Sequence, residues 1–259
     1  MSVNLRCERL IGIDHPALPG HFPGQPLVPA VLLIDTVMDT ALEALQSQLT
    51  APIRSLRQLR FMAPVVPDVP IQVDWQARTE QQWRFSVWQH HQEVCRGTAS
   101  LEPVVELIGE TAAEVAVGPI DPHASIATAP LYRRLPHSGS MCLLDEVDLS
   151  APDALCGRAR LGRKQPLLFK GFLSGWQGLE YAAQLLACQG ARMAGELAQA
   201  RVVMARRLDC YQPPVIAADQ LLEVGVRVVS RQHHAASCTF TLYCAGSLLV
   251  DGEFTVMFG

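Results

Sequence analysis

Gly20-His21-Phe22-Pro23-Gly24-Gln25-Pro26-Leu27-Val28-Pro29-Ala30-Val31-Leu32-Leu33-Ile34-Asp35 places one histidine on a loop stiffened by prolines and punctuated by glycine, with an apolar helix directly after it. Pro29 suits the first helical turn, where a missing N–H costs nothing. Val31, Leu32, Leu33, Ile34, Val37, Met38, Ala41, Leu42 and Leu45 then cover most of the circumference of a helix read over residues 29–49. A helix apolar on nearly every side is a buried one, so a sheet is expected to wrap it. Asp35 falls inside that run, where an unpaired carboxylate is costly. The stretch thus supplies a loop imidazole, a helix N-terminus with free N–H groups and a semi-buried acid, which is equipment for moving protons beside an oxyanion.

Outward from this stretch, residues 3–13 read as an entering strand, and 53–62, 71–77, 83–89 and 93–101 read as a meander rich in Val, Thr, Phe and Trp. Residues 104–129, with spaced Glu, Ala, Val and Pro, read as a linker between a first unit at 1–103 and a second at 130–259. The second unit repeats the plan. Strands are read at 141–149 and 154–161 and a loop at 162–173; a helix opened by Ser174-Gly175-Trp176 runs to about 197. Four strand-like runs follow, at 201–210, 221–231, 237–244 and 248–258, with Ala245-Gly246-Ser247 as a hairpin turn. Helix-then-four-strands, twice, is internal duplication. Aligning Glu180 on Asp35 places Ser174-Gly175-Trp176 on Pro29-Ala30-Val31.

The pattern His21-Phe22-Pro23-Gly24, Pro26, Pro29-Ala30-Val31, Asp35 resembles the signature of the hot-dog-fold 3-hydroxyacyl-[acyl-carrier-protein] dehydratases. That family reads His-Phe-Pro-Gly, Pro, Pro-Gly-Val and a helical acid at the same offsets; Ala30 stands where the family usually has Gly. Leu135-Pro136-His137, Met141–Val147 and Gly178-Leu179-Glu180-Tyr181-Ala182-Ala183-Gln184 look like the dehydratase-like partner subunit of aryl polyene biosynthesis, and the first half is similar to the catalytic dehydratase of that pathway. The resemblance implies an α+β double hot-dog fold, two curled antiparallel sheets each wrapping a central helix. It implies dehydration of 3-hydroxyacyl thioesters on acyl carrier protein to trans-2-enoyl products, in fatty acid or aryl polyene type biosynthesis, with no cofactor and no metal. Further oligomerisation stays open.

Histidine titrates near neutral pH and suits removal of a proton beside a thioester carbonyl, so His21 is read as the base. A desolvated carboxyl suits protonation of the departing hydroxyl. Glu180 is the working acid or a helix acid bonded to backbone; Asp35 is a working acid, a structural vestige or a hydrogen-bond anchor. The oxyanion and substrate contacts fall to Ala30 and Val31 in the first half, Gly175 and Trp176 in the second, and the loop residues Phe22, Pro23 and Gly24. Hot-dog dehydratases join the loop histidine of one protomer to the helical acid of the other. The expected working site is therefore composite, His21 with Glu180, while Asp35 faces the histidine-free loop 162–173. Arg163, Lys164 and Lys170 either receive an acidic carrier protein or form a solvated loop.

Competing readings carry less. His15 reads as a turn residue and His137 as structural, before the first strand of its unit and away from the chemistry. His90-His91 and His233-His234 lack metal-ligand spacing, since adjacent strand residues face opposite ways. Ser138 and Ser140 lack a nucleophile-elbow motif. A hot-dog thioesterase would not need the His21 loop; a noncatalytic scaffold would fit the second half alone. Composition narrows the class. Of 259 residues 49% are hydrophobic and 18% charged, enough for a substantial core. With net charge −4 and no long basic run, nucleic acid is not an expected partner. No apolar run spans a membrane, and Met1–Arg9 lacks the apolar core of a signal peptide. Eight cysteines without CxxC pairs read as reduced thiols, and a cytoplasmic location is expected.

Overall fold

The computed structural model describes residues 4–22, 24, 26–45, 49, 51–102, 104, 120, 123–162, 164–194, 200–216 and 219–258. In the first half β1 (Asn4–Arg9) leads into the proline-rich loop, and α1 (Ala30–Ala44) follows. Then come β2 (Ser55–Phe61), β3 (Ile71–Ala77), β4 (Gln82–Gln89) and β5 (Gln92–Ser100). The second half opens with β6 (Ser125–Ala127), the short α2 (Ala129–Tyr132), β7 (Glu146–Asp148), β8 (Ala154–Leu161) and β9 (Phe172–Leu173). A 3₁₀ turn at Gly175–Gln177 feeds α3 (Gly178–Ala194). The chain ends in β10 (Ala200–Cys210), β11 (Val215–Ile216), β12 (Gln220–Gln232), β13 (Ala235–Cys244) and β14 (Ser247–Phe258).

The fold is the double hot dog, with one difference from the expectation of two sheets. The halves share one twelve-stranded antiparallel sheet, ordered β1-β3-β4-β5-β2-β10-β14-β13-β12-β8-β7-β6, in which β2 of one half pairs with β10 of the other, and β9 and β11 form a small separate pair. Strict alternation builds it. Ile71, Val73 and Trp75 on β3 and Trp83, Phe85 and Val87 on β4 all point inward. The hairpin between β4 and β5 turns on His90 and His91, both in the left-handed region (φ 51° and 63°) that two-residue hairpins demand.

Helix α1 is buried from Val31 to Met38, as its apolar circumference requires, but Leu42 is 59% exposed and Glu43 lies at the surface. Trp75 Nε1 donates to Thr40 Oγ1 at 2.9 Å and ties the sheet to the helix. On the other half α3 presses onto the sheet at Gly178, where a Cβ would lie 2.6 Å from Val250 Cγ1. At the seam Asp209 accepts bonds from Arg57 (2.7 Å), Arg207 (2.7 Å) and Ser55 (2.6 Å), and Arg207 reaches on to Asp251 at 2.6 Å. This network spans β2, β10 and β14 and locks the register of the two halves.

Several boundaries differ from the sequence reading. Residues 125–127, read as linker, form β6 beside β7, so the second half's sheet starts inside that stretch. Residues 105–119 lie outside the described residues. The strand read over 141–149 shrinks to 146–148, because Gly139–Met141 form a 3₁₀ turn. The helix read over 29–49 ends at Ala44. Among the described residues no helix is long and apolar enough to cross a membrane, and none of the eight cysteines forms a disulfide.

Candidate active site

A short bridge between two loops builds the site. Ser138 N–H donates to Gly20 O at 3.0 Å, and His21 pairs antiparallel with His137. Only glycine fits at position 20, since a Cβ there would sit 2.2 Å from the Ser138 carbonyl oxygen. The bridge sets the rings of His21 and His137 5.7 Å apart, centroid to centroid. Phe22 stacks edge-on against His21 at 4.5 Å and holds a left-handed φ of 61°, an unusual conformation for a bulky residue. Gly24 also sits at positive φ (87°), while Pro23 lies outside the described residues.

His21 is 8% exposed, and its Nδ1 lies 2.8 Å from Leu27 O. A carbonyl can only accept, so Nδ1 carries the hydrogen and a neutral ring presents a bare Nε2. Burial pushes the imidazole below its ordinary range, against the Glu180 charge and the Leu27 bond, which raise it; the His137 charge adds to the lowering. The same loop runs into α1, whose first intrahelical bond joins Leu33 N–H to Pro29 O. The N–H groups of Ala30 and Val31 therefore have no acceptor within the helix, and the positive end of the helix lies there.

Glu180, in the first turn of α3, is 6% exposed. Its Oε1 accepts from Gln184 Nε2 at 2.9 Å and lies 3.2 Å from His137 Nε2. Burial raises this carboxyl, but the His137 bond, the charges on His137 and His21 and the Gln184 bond together hold it down to about 2. Of the lowering influences the contact with His137 is the largest.

The placement of His137 corrects the sequence reading. It does precede β7, but it lies against Glu180 and beside His21, not away from them. His21, His137 and Glu180 offer donor atoms within 4.8 Å of one another and are, among the described residues, the group that could hold a metal ion. A zinc ion with ligands at 2.0–2.1 Å gathers them to roughly 3.4 Å apart, so the cluster would have to contract to hold one.

Asp35 lies elsewhere. Ser174 Oγ donates to its Oδ1 at 2.5 Å and Gln177 Nε2 to its Oδ2 at 2.8 Å, while Gln177 Nε2 also reaches Leu167 O at 2.5 Å. Burial pushes this carboxyl up to about 6 against the pull of both bonds. Gly175 and Trp176 are buried in the turn between these partners, and a Cβ on Gly175 would meet Cys210 Sγ at 2.5 Å. Cys210 in turn lines a cavity of about 550 Å³ with Arg54, Leu101 and Tyr211. Here no histidine faces the acid among the described residues. Lys170 pairs with Asp39 of α1 at 2.5 Å, Lys164 is exposed, and Arg163 lies outside the described residues.

Two family models match this chain in succession: ApeI-like (ApeI dehydratase) over residues 2–98 and ApeP-like (ApeP dehydratase) over residues 129–258. A curated relative, the 3-hydroxyacyl-[acyl-carrier-protein] dehydratase FabZ of Myxococcus xanthus (strain DK1622), is 34% identical over 77 residues, 27% of this chain and 50% of that protein. The match thus spans about half the length of the relative. Among solved structures, the dehydratase domain of RzxB from Pseudomonas fluorescens superposes with a TM-score of 0.73 at 14% identity, covering 97% of this chain and 94% of that one. The dehydratase domain of a mycocerosic acid synthase-like polyketide synthase gives 0.70 at 14% identity, covering 100% and 95%. The dehydratase domain of PpsC from Mycobacterium tuberculosis, solved with C12:1-CoA, gives 0.71 at 13% identity, covering 99% and 94%. At these identities the likeness to solved structures is one of fold.

Proposed function

Because the chain belongs to the hot-dog dehydratases, with an ApeI-like and an ApeP-like dehydratase domain in tandem, we propose that it dehydrates 3-hydroxyacyl thioesters, borne on acyl carrier protein, to trans-2-enoyl thioesters. The observation that carries this is the meeting of His21 and Glu180 from opposite halves in one buried cluster. In this reading His21 Nε2 takes the proton from the carbon next to the thioester carbonyl. The N–H groups of Ala30 and Val31 receive the negative charge that builds on the thioester oxygen. Glu180, in the protonated form that reacts, gives its proton to the β-hydroxyl, which leaves as water. His21 ends with one proton gained and Glu180 with one lost, and exchange with solvent resets both.

A carrier-borne substrate of the aryl polyene or fatty acid type is part of the same proposal, supported by the two family models and the FabZ relative. So is action in the cytoplasm, which suits eight cysteines without a disulfide. In docking of the carrier, the described part of the loop offers two exposed cations, Lys164 and Lys170, the latter paired with Asp39. Incubation of the purified chain with 3-hydroxyacyl carrier proteins, followed by mass spectrometry, tests the reading. Loss of one water from the acyl group is expected. Release of free acid and thiol would indicate a thioesterase, and tight carrier binding without turnover a scaffold.

A further inference from the structure

The Glu180 carboxyl is held by one oxygen. Its Oε1 accepts from Gln184 and lies 3.2 Å from His137 Nε2, and no bond to Oε2 occurs among the described residues. Gln184 is itself locked. Its Oε1 accepts from Tyr132 O–H at 2.6 Å and Leu143 N–H at 3.1 Å, and its Nε2 also donates to Met141 O at 3.0 Å. His137 is different. Its Nδ1 is buried with no hydrogen-bond partner, so its polar contact on the ring is the one to Glu180. A residue present only to fill this space would not be an imidazole, since an orphaned buried nitrogen costs the desolvation of that group. Phenylalanine or leucine would fill it without that penalty. The loop carrying His137 is also the one clamped to Gly20, so the ring is fixed relative to His21 as well as to α3.

We propose that His137 is a positioning residue for the acid: its Nε2–H pins Glu180 Oε1, with Gln184, so that Oε2 is presented to the substrate hydroxyl opposite His21. This rests on the reading of Glu180 as the acid of thioester dehydration. Through the bridge, His137 also couples that acid to the base, because one loop contact sets both rings.

The full chain carrying His137→Phe or His137→Gln tests it with a 3-hydroxyacyl carrier protein. A misplaced catalytic group costs on the order of 10²-fold in rate. His137→Phe is expected to lose about that much in kcat, with KM changed less than about threefold. In His137→Gln the amide Nε2 reaches the place of the ring Nε2 and should recover at least about tenfold of the loss. The second readout is the titration of the Glu180 carboxyl by ¹³C NMR, which needs no substrate. Its midpoint should rise in His137→Phe and rise less in His137→Gln. Turnover of His137→Phe within about twofold of wild type, equal losses in both variants, or an unmoved Glu180 midpoint would overturn the proposal. Should wild type not dehydrate thioesters, the dehydratase reading fails while the carboxyl titration still decides for or against His137 as the residue that holds Glu180. Should His137→Phe not fold, His137→Ala takes its place, with the same expected loss and the same contradiction.

Discussion

His21 and His137 pair on one antiparallel bridge, their ring centroids 5.7 Å apart, although one belongs to the first half of the chain and the other to the second. The bridge brings the apolar-helix loop of one half to the acid-bearing helix of the other. A composite site is the consequence, and its properties can be measured piece by piece.

The base must be neutral to take a proton. Burial lowers the His21 imidazole from its ordinary 6.5, so activity should persist as pH falls below that value. The acid limb of a kcat/KM–pH profile is therefore expected below 6.5, and a limb above it would contradict the lowering by burial.

The bridge itself is sensitive to one methyl group. Gly20→Ala places a Cβ 2.2 Å from Ser138 O and 2.9 Å from Met141 Cβ, and the loops must part. Overpacking of this kind costs about 1–3 kcal/mol, and turnover should fall at least about tenfold because both rings shift. Gly162→Ala, where a Cβ meets nothing within 4 Å, serves as the control and should leave both unfolding temperature and turnover near wild type.

Asp35 makes a stability prediction of definite sign. Its carboxyl rises from 3.8 to about 6 in the folded chain. The folded state thus binds this proton more tightly than the unfolded state, and the group's favourable contribution is complete below about pH 3.8 and lost as pH climbs through 6. At neutral pH the buried carboxylate costs on the order of 3 kcal/mol. Asp35→Asn removes that cost, its amide oxygen still able to accept from Gln177 Nε2 and its amide nitrogen able to donate to the Ser174 hydroxyl. Denaturant unfolding between pH 4 and 7 should show the variant gaining on wild type as pH rises. A variant less stable than wild type at pH 7 would contradict the assignment.

The seam is the third test of how the halves are held. Asp209 is 4% exposed and takes bonds from Arg57, Arg207 and Ser55. Asp209→Ala leaves the Arg57 guanidinium and the Ser55 hydroxyl without their acid, while Arg207 keeps Asp251, and a loss of at least about 2 kcal/mol is expected. Thermal unfolding measures it; an unchanged midpoint would show that the network does not bind the halves.

Much of this architecture was legible in local sequence. Pro29 to Leu45 carried enough apolar residues to specify a buried helix, and the strands from 71 to 100 and from 201 to 258 announced themselves by alternation and turn residues. What local pattern could not show were long-range choices. The pairing of β2 with β10 depends on two strands from different halves presenting free edges, with Ser55 opposite Asp209. The three-residue strands β6 and β7 are too short for any period to register. His137 was misjudged for the same reason. Its place before a strand was correct, but its partner Glu180 reaches it only through the fold. The signal available was its position as the one histidine between residues 130 and 232, ahead of the acid-bearing helix. Leu42, apolar yet exposed, shows the converse: periodicity marks a helix as buried without telling which residue meets solvent.

The most direct test of the composite site compares turnover of Glu180→Gln and Asp35→Asn on the same 3-hydroxyacyl carrier protein. Glutamine keeps the size of Glu180 and can still accept a hydrogen bond but has no proton to give. The account predicts a loss of about 10²–10⁴-fold for Glu180→Gln and near-wild-type turnover for Asp35→Asn. A crippled Asp35→Asn beside a healthy Glu180→Gln would contradict it.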